Sequence, residues 1–127
     1  MQSLKRVGIW MDHSNAYFIE FNADSAEAIT EPKSIHQDID HDMSKGENLM
    51  HNKQQHQQGD FYKKIGAVIK NYDEVLLFGP TDAKQELFNL LNVDQHFSKI
   101  KIEVKQADKM SENQEKAFVK SHFSSLV

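Results

Sequence analysis

EVLLFG, at residues 74–79, is an almost continuous apolar run between polar segments, and it predicts a strand that is covered on both faces. Strands of this kind usually lie at the centre of a sheet, where helices pack on both surfaces. A second apolar run, RVGIWM at residues 6–11, ends in DHSN at residues 12–15, whose side chains favour a tight turn. These two stretches predict the middle of one α/β sheet.

Three further strands are predicted around this pair. AYFIEF, at residues 16–21, follows the turn and predicts a hairpin partner for the first strand. A more weakly signalled strand takes residues 26–30 and completes an antiparallel meander. Ile100, Ile102 and Val104 alternate with charged residues, which predicts a strand that buries one face and lies at a sheet edge.

Helices are predicted between and after the later strands. Asp60 is expected to cap a helix with one apolar face, formed by Phe61, Ile65, Val68, Ile69 and Tyr72. Asp82 and Gln85 are spaced as a capping pair for a second helix, and SENQ at residues 111–114 matches a capping box for a third.

The element order is β-β-β-(long loop)-α-β-α-β-α. Because crossovers between parallel strands are right-handed, the last two strands are expected to add beside the first one. The predicted fold class is α/β, with a ribonuclease H-like, five-stranded mixed sheet. A chain of 127 residues fits one domain, residues 1–127. The first apolar run is too short for a signal peptide or a membrane span, so we expect a cytoplasmic protein without a membrane partner.

Residues 33–58 are mostly polar and predict a long, flexible loop that docks on a partner. Amide and imidazole groups bond phosphates and unpaired bases, and the loop carries seven candidates for RNA or partner contacts: His51, Lys53, Gln54, Gln55, His56, Gln57 and Gln58. A secondary basic face is predicted at Lys99, Lys101, Lys105 and Lys109. The formal net charge of −4 means that any contact with nucleic acid must be local.

Two stretches, VGIWMDHSNAY at residues 7–17 and EVLLFGPTDAK at residues 74–84, resemble the middle domain of eukaryotic and archaeal class-1 peptide chain release factors. Compact bacterial relatives of that domain are known as translational machinery components. The resemblance implies the ribosome or tRNA as partner. In the release factors a Gly-Gly-Gln tripeptide catalyses release, in the loop between the third strand and the first long helix. Here that loop ends in QQHQQG, at residues 54–59, so no catalytic residue carries over.

The sequence predicts no catalytic residue, metal ligand or cofactor. It lacks cysteine, a Gly-x-Ser-x-Gly elbow and a phosphate-binding loop. The spacing of imidazole and carboxylate groups at residues 36–42 does not match a zinc site. A metal nuclease of this fold needs several carboxylates near the first strand. Asp12 ends that strand, but Glu74 and Asp82 do not suit such a site, so Asp12 is interpreted as a turn residue.

The leading interpretation is a non-catalytic accessory protein of translation that binds the ribosome or RNA through the His- and Gln-rich loop. One alternative is an enzyme, either a hydrolase acting on peptidyl-tRNA or a divergent metal-dependent nuclease. Another is a protein-interaction module without nucleic acid, which the acidic net charge favours. The predicted edge strand also leaves dimerisation by sheet extension open.

Overall fold

A computed structural model describes residues 4–22, 27–36 and 47–124. These residues form five strands, three α-helices and a short 3-10 helix, Gln95–Phe97. The strands are β1 (Arg6–Met11), β2 (Asn15–Asn22), β3 (Glu27–His36), β4 (Glu74–Gly79) and β5 (Lys101–Gln106); the helices are α1 (Glu47–Ile69), α2 (Ala83–Asn92) and α3 (Glu112–Ser124). None of these helices is both long and apolar enough to cross a membrane, as far as the described residues go.

The strands form one mixed sheet in the order β3-β2-β1-β4-β5. β2 is antiparallel to β1 and to β3, whereas β4 is parallel to both β1 and β5. At the centre, Ile9 of β1 lies beside Phe18 of β2 on one side and Leu77 of β4 on the other. This arrangement confirms the predicted five-stranded, ribonuclease H-like sheet, with β5 at an edge.

Alternating side chains of the central strands pack into two hydrophobic layers. Ile9 and Leu77 face α1 and α2, while Trp10 and Phe78 face α3. The apolar positions of the helices match this division, because α1 and α2 contribute to the first layer and α3 to the second. A sheet buried on both faces explains why the sequences of β1 and β4 are apolar after their first residues, Arg6 and Glu74.

The predicted loop over residues 33–58 was wrong at both ends. β3 continues to His36, and α1 begins at Glu47; residues 37–46 lie outside the described part of the chain. Asp60 is therefore inside α1 and does not cap it. The physical reason is intrinsic helix propensity: residues 47–58 contain Glu, Leu, Met, Lys and Gln, with neither proline nor β-branched residues. A helix can form on these preferences even where few apolar side chains are present.

The start of α2 also differs from the prediction. Asp82 occupies the N-cap position, but its side chain forms no capping hydrogen bond. The hydroxyl of Thr81 accepts instead from the backbone N–H of Ala83, at 3.2 Å. The side chain of Gln85 donates to Asn89, at 3.0 Å, so it does not complete a capping pair.

Candidate functional site at the carboxyl edge of the sheet

The carboxyl ends of β1, β4 and β5 lie together because these strands are parallel. We call this side of the sheet, formed by the strand ends and not by an outer strand, the carboxyl edge. From β1 the sheet extends to β2 on one side and to β4 on the other. In open α/β sheets, ligands bind outside the carboxyl ends, where the direction of the strand order reverses. The turn at residues 12–15 and the segment at residues 107–111 both lie at this edge and define the candidate site.

The turn after β1 is held by the Asp12 carboxylate. One oxygen, Oδ1, accepts from the backbone N–H of Ser14 at 2.8 Å and from that of Asn15 at 2.7 Å. The side chain of Asn15 in turn meets His36, with 2.6 Å between Oδ1 and Nδ1, which fixes the end of β3. This geometry confirms that Asp12 is a turn residue.

A second cluster connects this turn to α1 and α2. The Tyr62 hydroxyl donates to Oε1 of Glu86 at 2.7 Å, and Nε2 of His13 lies 3.3 Å from Oε2 of the same carboxylate. The hydrogen bond from Tyr62, followed by the contact with His13, lowers the pKa of Glu86. Burial, followed by the hydrogen bond to Glu86, raises the pKa of Tyr62. In this cluster the carboxylate of Glu86 accepts a hydrogen bond and the phenol of Tyr62 keeps its proton. The cluster is therefore a structural bridge between the turn, α1 and α2.

The first turn of α3 is fixed by the capping box that the sequence predicted. The side-chain carbonyl of Gln114 accepts from the backbone N–H of Ser111 at 2.8 Å, and the hydroxyl of Ser111 accepts from the N–H of Gln114 at 3.2 Å. The same turn carries Glu112 and Glu115. Because α3 begins at the carboxyl edge, the capping box places both carboxyl groups beside the turn after β1.

A cavity of about 500 Å³ lies between these segments, and we refer to it as the acidic cavity. Its lining combines three carboxyl groups and one ammonium group with aromatic and apolar surface. The lining residues are Trp10, Asp12, Asn15, Tyr17, Lys109, Met110, Glu112 and Glu115. Its volume is within the range of ligand pockets, roughly 300–1,000 Å³.

Two of the residues that line the acidic cavity carry a polar group without a hydrogen-bond partner among the described residues. The Glu115 side chain belongs to a residue that is only 7% exposed, and no hydrogen bond or ion pair within the described chain engages its carboxyl group. Burial and the neighbouring Glu112 raise the pKa of Glu115 to about 7. Trp10 is 5% exposed, and its Nε1 has no hydrogen-bond acceptor in the described part of the chain. Such groups cost stability, about 1–3 kcal/mol for a neutral donor.

The unusual pKa of Glu115 predicts a pH-dependent stability. Since the folded state holds the proton more tightly than the unfolded state does, this group favours folding at low pH and loses that contribution as pH rises from 4.5 to about 7. We expect Glu115→Gln to raise the free energy of unfolding at pH 8 by about 1 kcal/mol, less than the full pKa difference would give, because solvent screens part of the charge. Urea denaturation between pH 4 and pH 8 measures this. An unchanged pH profile in the variant would contradict the assignment.

The seven predicted contact residues on the polar segment all lie in α1: His51, Lys53, Gln54, Gln55, His56, Gln57 and Gln58. They therefore belong to one helix and not to a loop. Gln58 is half-buried.

The predicted basic face is spread along the whole edge strand. Lys101 and Lys105 lie on one face of β5, where Lys101 pairs with Glu103 at 3.6 Å. The other carboxylate oxygen of Glu103 lies 3.1 Å from Nε2 of His122 on α3. Lys99 precedes the strand, and Lys109 follows it and lines the acidic cavity. Glu103 lies between Lys101 and Lys105 and reduces the positive charge of this face.

The described residues, 4–22, 27–36 and 47–124, contain no group of three or more His, Asp or Glu side chains that could hold a metal ion. Most of the imidazole and carboxylate cluster at residues 36–42 lies outside them. Sequence reasoning did not find the proximity of Asp12 to Glu112 and Glu115, which are far away along the chain. The signal available was the capping box, since it places the first turn of the last helix at the carboxyl edge.

Comparison with known proteins shows a shared fold. No protein-family model and no curated protein sequence matches the chain. Among solved structures, Archaeoglobus fulgidus Pelota superposes with a TM-score of 0.60 at 10% identity, over 98% of this chain and 35% of Pelota. Thermoplasma acidophilum Pelota superposes with a TM-score of 0.59 at 12% identity, over 87% of this chain and 30% of that protein. An archaeal translation termination factor gives 0.58 at 16% identity, over 92% of this chain and 34% of the factor.

The chain thus corresponds to about a third of each of these proteins, between 30% and 35% of their length. At such low identity the likeness is one of fold. It confirms, at that level, the resemblance predicted from residues 7–17 and 74–84: the chain has a fold like that of the middle domain of class-1 release factors.

Proposed function

We propose that the chain is a cytoplasmic, non-catalytic accessory factor of translation that binds the ribosome or tRNA. The observation that carries this proposal is the superposition of 92% of the chain on part of an archaeal translation termination factor. The sequence keeps the order of elements of the release-factor domain but has no Gly-Gly-Gln. Two glycines give a backbone freedom that the glutamines of residues 54–58 lack, so we propose binding without peptide release.

The proposed contact surface is the segment at residues 33–58, above all the first half of α1. Four glutamines and two histidines occur among residues 51–58, and such side chains bond phosphates, sugars and base edges. On a helix, residues three or four apart share a face, so several of them can contact one strand of RNA together. Lys53 adds a positive charge to this set, which suits phosphate.

Co-sedimentation with ribosomes tests the proposal. We expect wild-type protein to migrate with ribosomal particles at low salt and to dissociate as salt rises, because phosphate contacts release counterions. Alanine at His51, Lys53, Gln54, Gln55, His56 and Gln57 should remove most of the bound fraction, about tenfold in affinity, since several hydrogen bonds are lost together. Alanine preserves the helix, and Gln58 is left unchanged because it is half-buried.

The matched control carries alanine at Lys99, Lys101, Lys105 and Lys109. If this variant loses binding while the α1 variant keeps it, the contact surface is the basic face and the α1 proposal fails. Wild-type protein that stays at the top of the gradient at low salt would contradict a ribosome partner. The alternative hydrolase is tested with the same preparation, by release of labelled peptide from peptidyl-tRNA, and the alternative nuclease by magnesium-dependent cleavage of RNA, DNA and hybrid substrates.

A further inference from the structure

We propose that the acidic cavity between β1, β2 and the start of α3 binds the cationic head of an arginine or lysine side chain from a peptide partner. This site lies on the α3 side of the sheet, whereas α1 packs on the other side. The inference is therefore independent of the proposed function. Binding to ribosomes and binding to this cavity can fail or succeed separately.

The charge of the cavity selects a cation. Asp12, Glu112 and Glu115 line it together with a single basic residue, Lys109. Lys109 is exposed, and no ion pair within the described residues joins its ammonium group to any of these carboxyl groups. A cation that enters the cavity can therefore meet the carboxyl groups of Glu112 and Glu115 without displacing an ion-pair partner from the described residues. Arginine is the better match, because its planar guanidinium group can bond two carboxylate oxygens at once.

Glu115 gives the second, independent argument. Its carboxyl group belongs to a residue that is 93% buried, since only 7% of its surface is exposed, yet it has no partner among the described residues. Partial burial without a partner disfavours the ionised form of this carboxyl group, and a bound cation offsets that cost. The pair formed on binding is also strengthened by its low-dielectric surroundings.

Trp10 lines the cavity, but its Nε1 is enclosed by protein and is not reached from it. The residue therefore contributes aromatic surface to the cavity and not a hydrogen-bond donor. A basic peptide side chain combines a cationic head with a methylene stem that packs on such surface, whereas a metal ion has no apolar part.

The aromatic and apolar walls suit the stem of a long basic side chain. The rings of Trp10 and Tyr17 lie 5.8 Å apart, and Met110 adds thioether surface. Arginine and lysine bury their methylene groups against such surfaces while the charged head reaches polar groups. A cation within about 6 Å of an aromatic ring centroid gains further attraction from the ring.

Peptide titration followed by tryptophan fluorescence tests the site, because Trp10 is the single tryptophan of the chain and lines the cavity. The probes are acetyl-Ala-Arg-Ala-amide, the same peptide with citrulline in place of arginine, and spermidine. Citrulline keeps the shape of arginine without its charge. We expect the arginine peptide to bind at least about tenfold more tightly than the citrulline peptide, as a charge-assisted hydrogen bond implies.

Two variants that each remove one negative charge distinguish binding in the cavity from general electrostatic attraction. Glu115→Gln should weaken the arginine peptide by about tenfold or more, because it removes the buried carboxylate. Asp108→Asn removes one negative charge nearby, but Asp108 is exposed and does not line the cavity, so binding should be unchanged. Equal losses in the two variants would overturn the site. Tighter binding of spermidine than of the arginine peptide would overturn a peptide as its occupant.

The pH dependence of binding provides an independent readout. The groups that face Glu115 across the cavity are Glu112 on α3, Asp12 in the turn, Tyr17 on β2 and Lys109. Since Glu115 loses its proton near pH 7, wild-type affinity for the arginine peptide should rise about tenfold between pH 6 and pH 8. Glu115→Gln should remove this dependence. A wild-type affinity that is constant over this range would contradict the role of Glu115.

Discussion

Gly79→Ala is expected to lower the free energy of unfolding by about 3 kcal/mol or more, the largest single effect that the fold predicts. Gly79 ends β4 with a φ of +154°, a backbone conformation that residues with a Cβ rarely adopt. A Cβ built there would lie 2.1 Å from the carbonyl oxygen of Met11. That oxygen belongs to the backbone of β1, so the clash is relieved only by separating the two central strands at their carboxyl ends.

Urea denaturation measures this effect, and Gly59→Ala is the matched control. Gly59 lies inside α1, and a Cβ built there meets nothing within 4 Å. Alanine is therefore expected to stabilise the protein by up to about 1 kcal/mol at that position, because it favours the helix. A Gly79→Ala protein with the urea midpoint of wild type would show that the strand ends tolerate separation. Both variants replace one glycine by alanine. A difference between them therefore reports the close approach of the two backbones at Gly79 and not the loss of a glycine as such.

The central sheet could be predicted because its signals are local and consistent with one another. The apolar runs at residues 6–11 and 74–79 need burial on both faces, and a single position satisfies this, between helices at the middle of a sheet. The turn at residues 12–15 carries an Asp whose hydrogen bonds are formed within three residues. Right-handed crossovers then leave one place for the last two strands.

The first half of α1 could not be predicted from hydrophobic periodicity. Counting apolar side chains detects helices that bury a continuous stripe, and residues 47–58 have too few. Two different quantities determine a helix, the propensity of its residues and the burial of its face. In α1 the second half, from Phe61 to Ile69, buries apolar side chains. The first half extends the helix with residues of high helix propensity. A prediction from propensity summed over this window would have moved the start of the helix.

The acidic cavity could not be predicted because its properties arise only in the folded chain. Trp10 belongs to the apolar run at residues 6–11 and is buried as that run predicts, but only the structure shows that this residue also lines a cavity shared with α3. The sequence gives Glu112 and Glu115 as ordinary residues of a first helical turn, where carboxylates are favourable. The shifted pKa of Glu115 depends on burial and on Glu112, and burial is set by contacts between segments about a hundred residues apart.

Gly8→Ala is expected to destabilise the protein by about 2–3 kcal/mol, because it forces α3 away from the sheet. A Cβ built at Gly8 would lie 2.2 Å from Cγ2 of Val119, a fully buried residue of α3. The clash is with a side chain, so a second substitution can relieve it. Val119→Ala alone creates a small cavity and should cost about 1–2 kcal/mol, but in the Gly8→Ala background it should restore stability.

A double-mutant cycle, measured by urea denaturation, gives the coupling free energy between the two substitutions. The sign of this coupling free energy is the decisive result. If the two substitutions add independently, the contact between Gly8 and Val119 does not determine the position of α3. If the double variant is more stable than Gly8→Ala alone, the missing side chain at residue 8 is what allows α3 to approach β1. The same approach carries Glu112 and Glu115 to the turn after β1, since they begin the helix that Val119 anchors. Fluorescence of Trp10 should therefore change in Gly8→Ala and recover in the double variant, which connects the packing of one glycine to the formation of the acidic cavity.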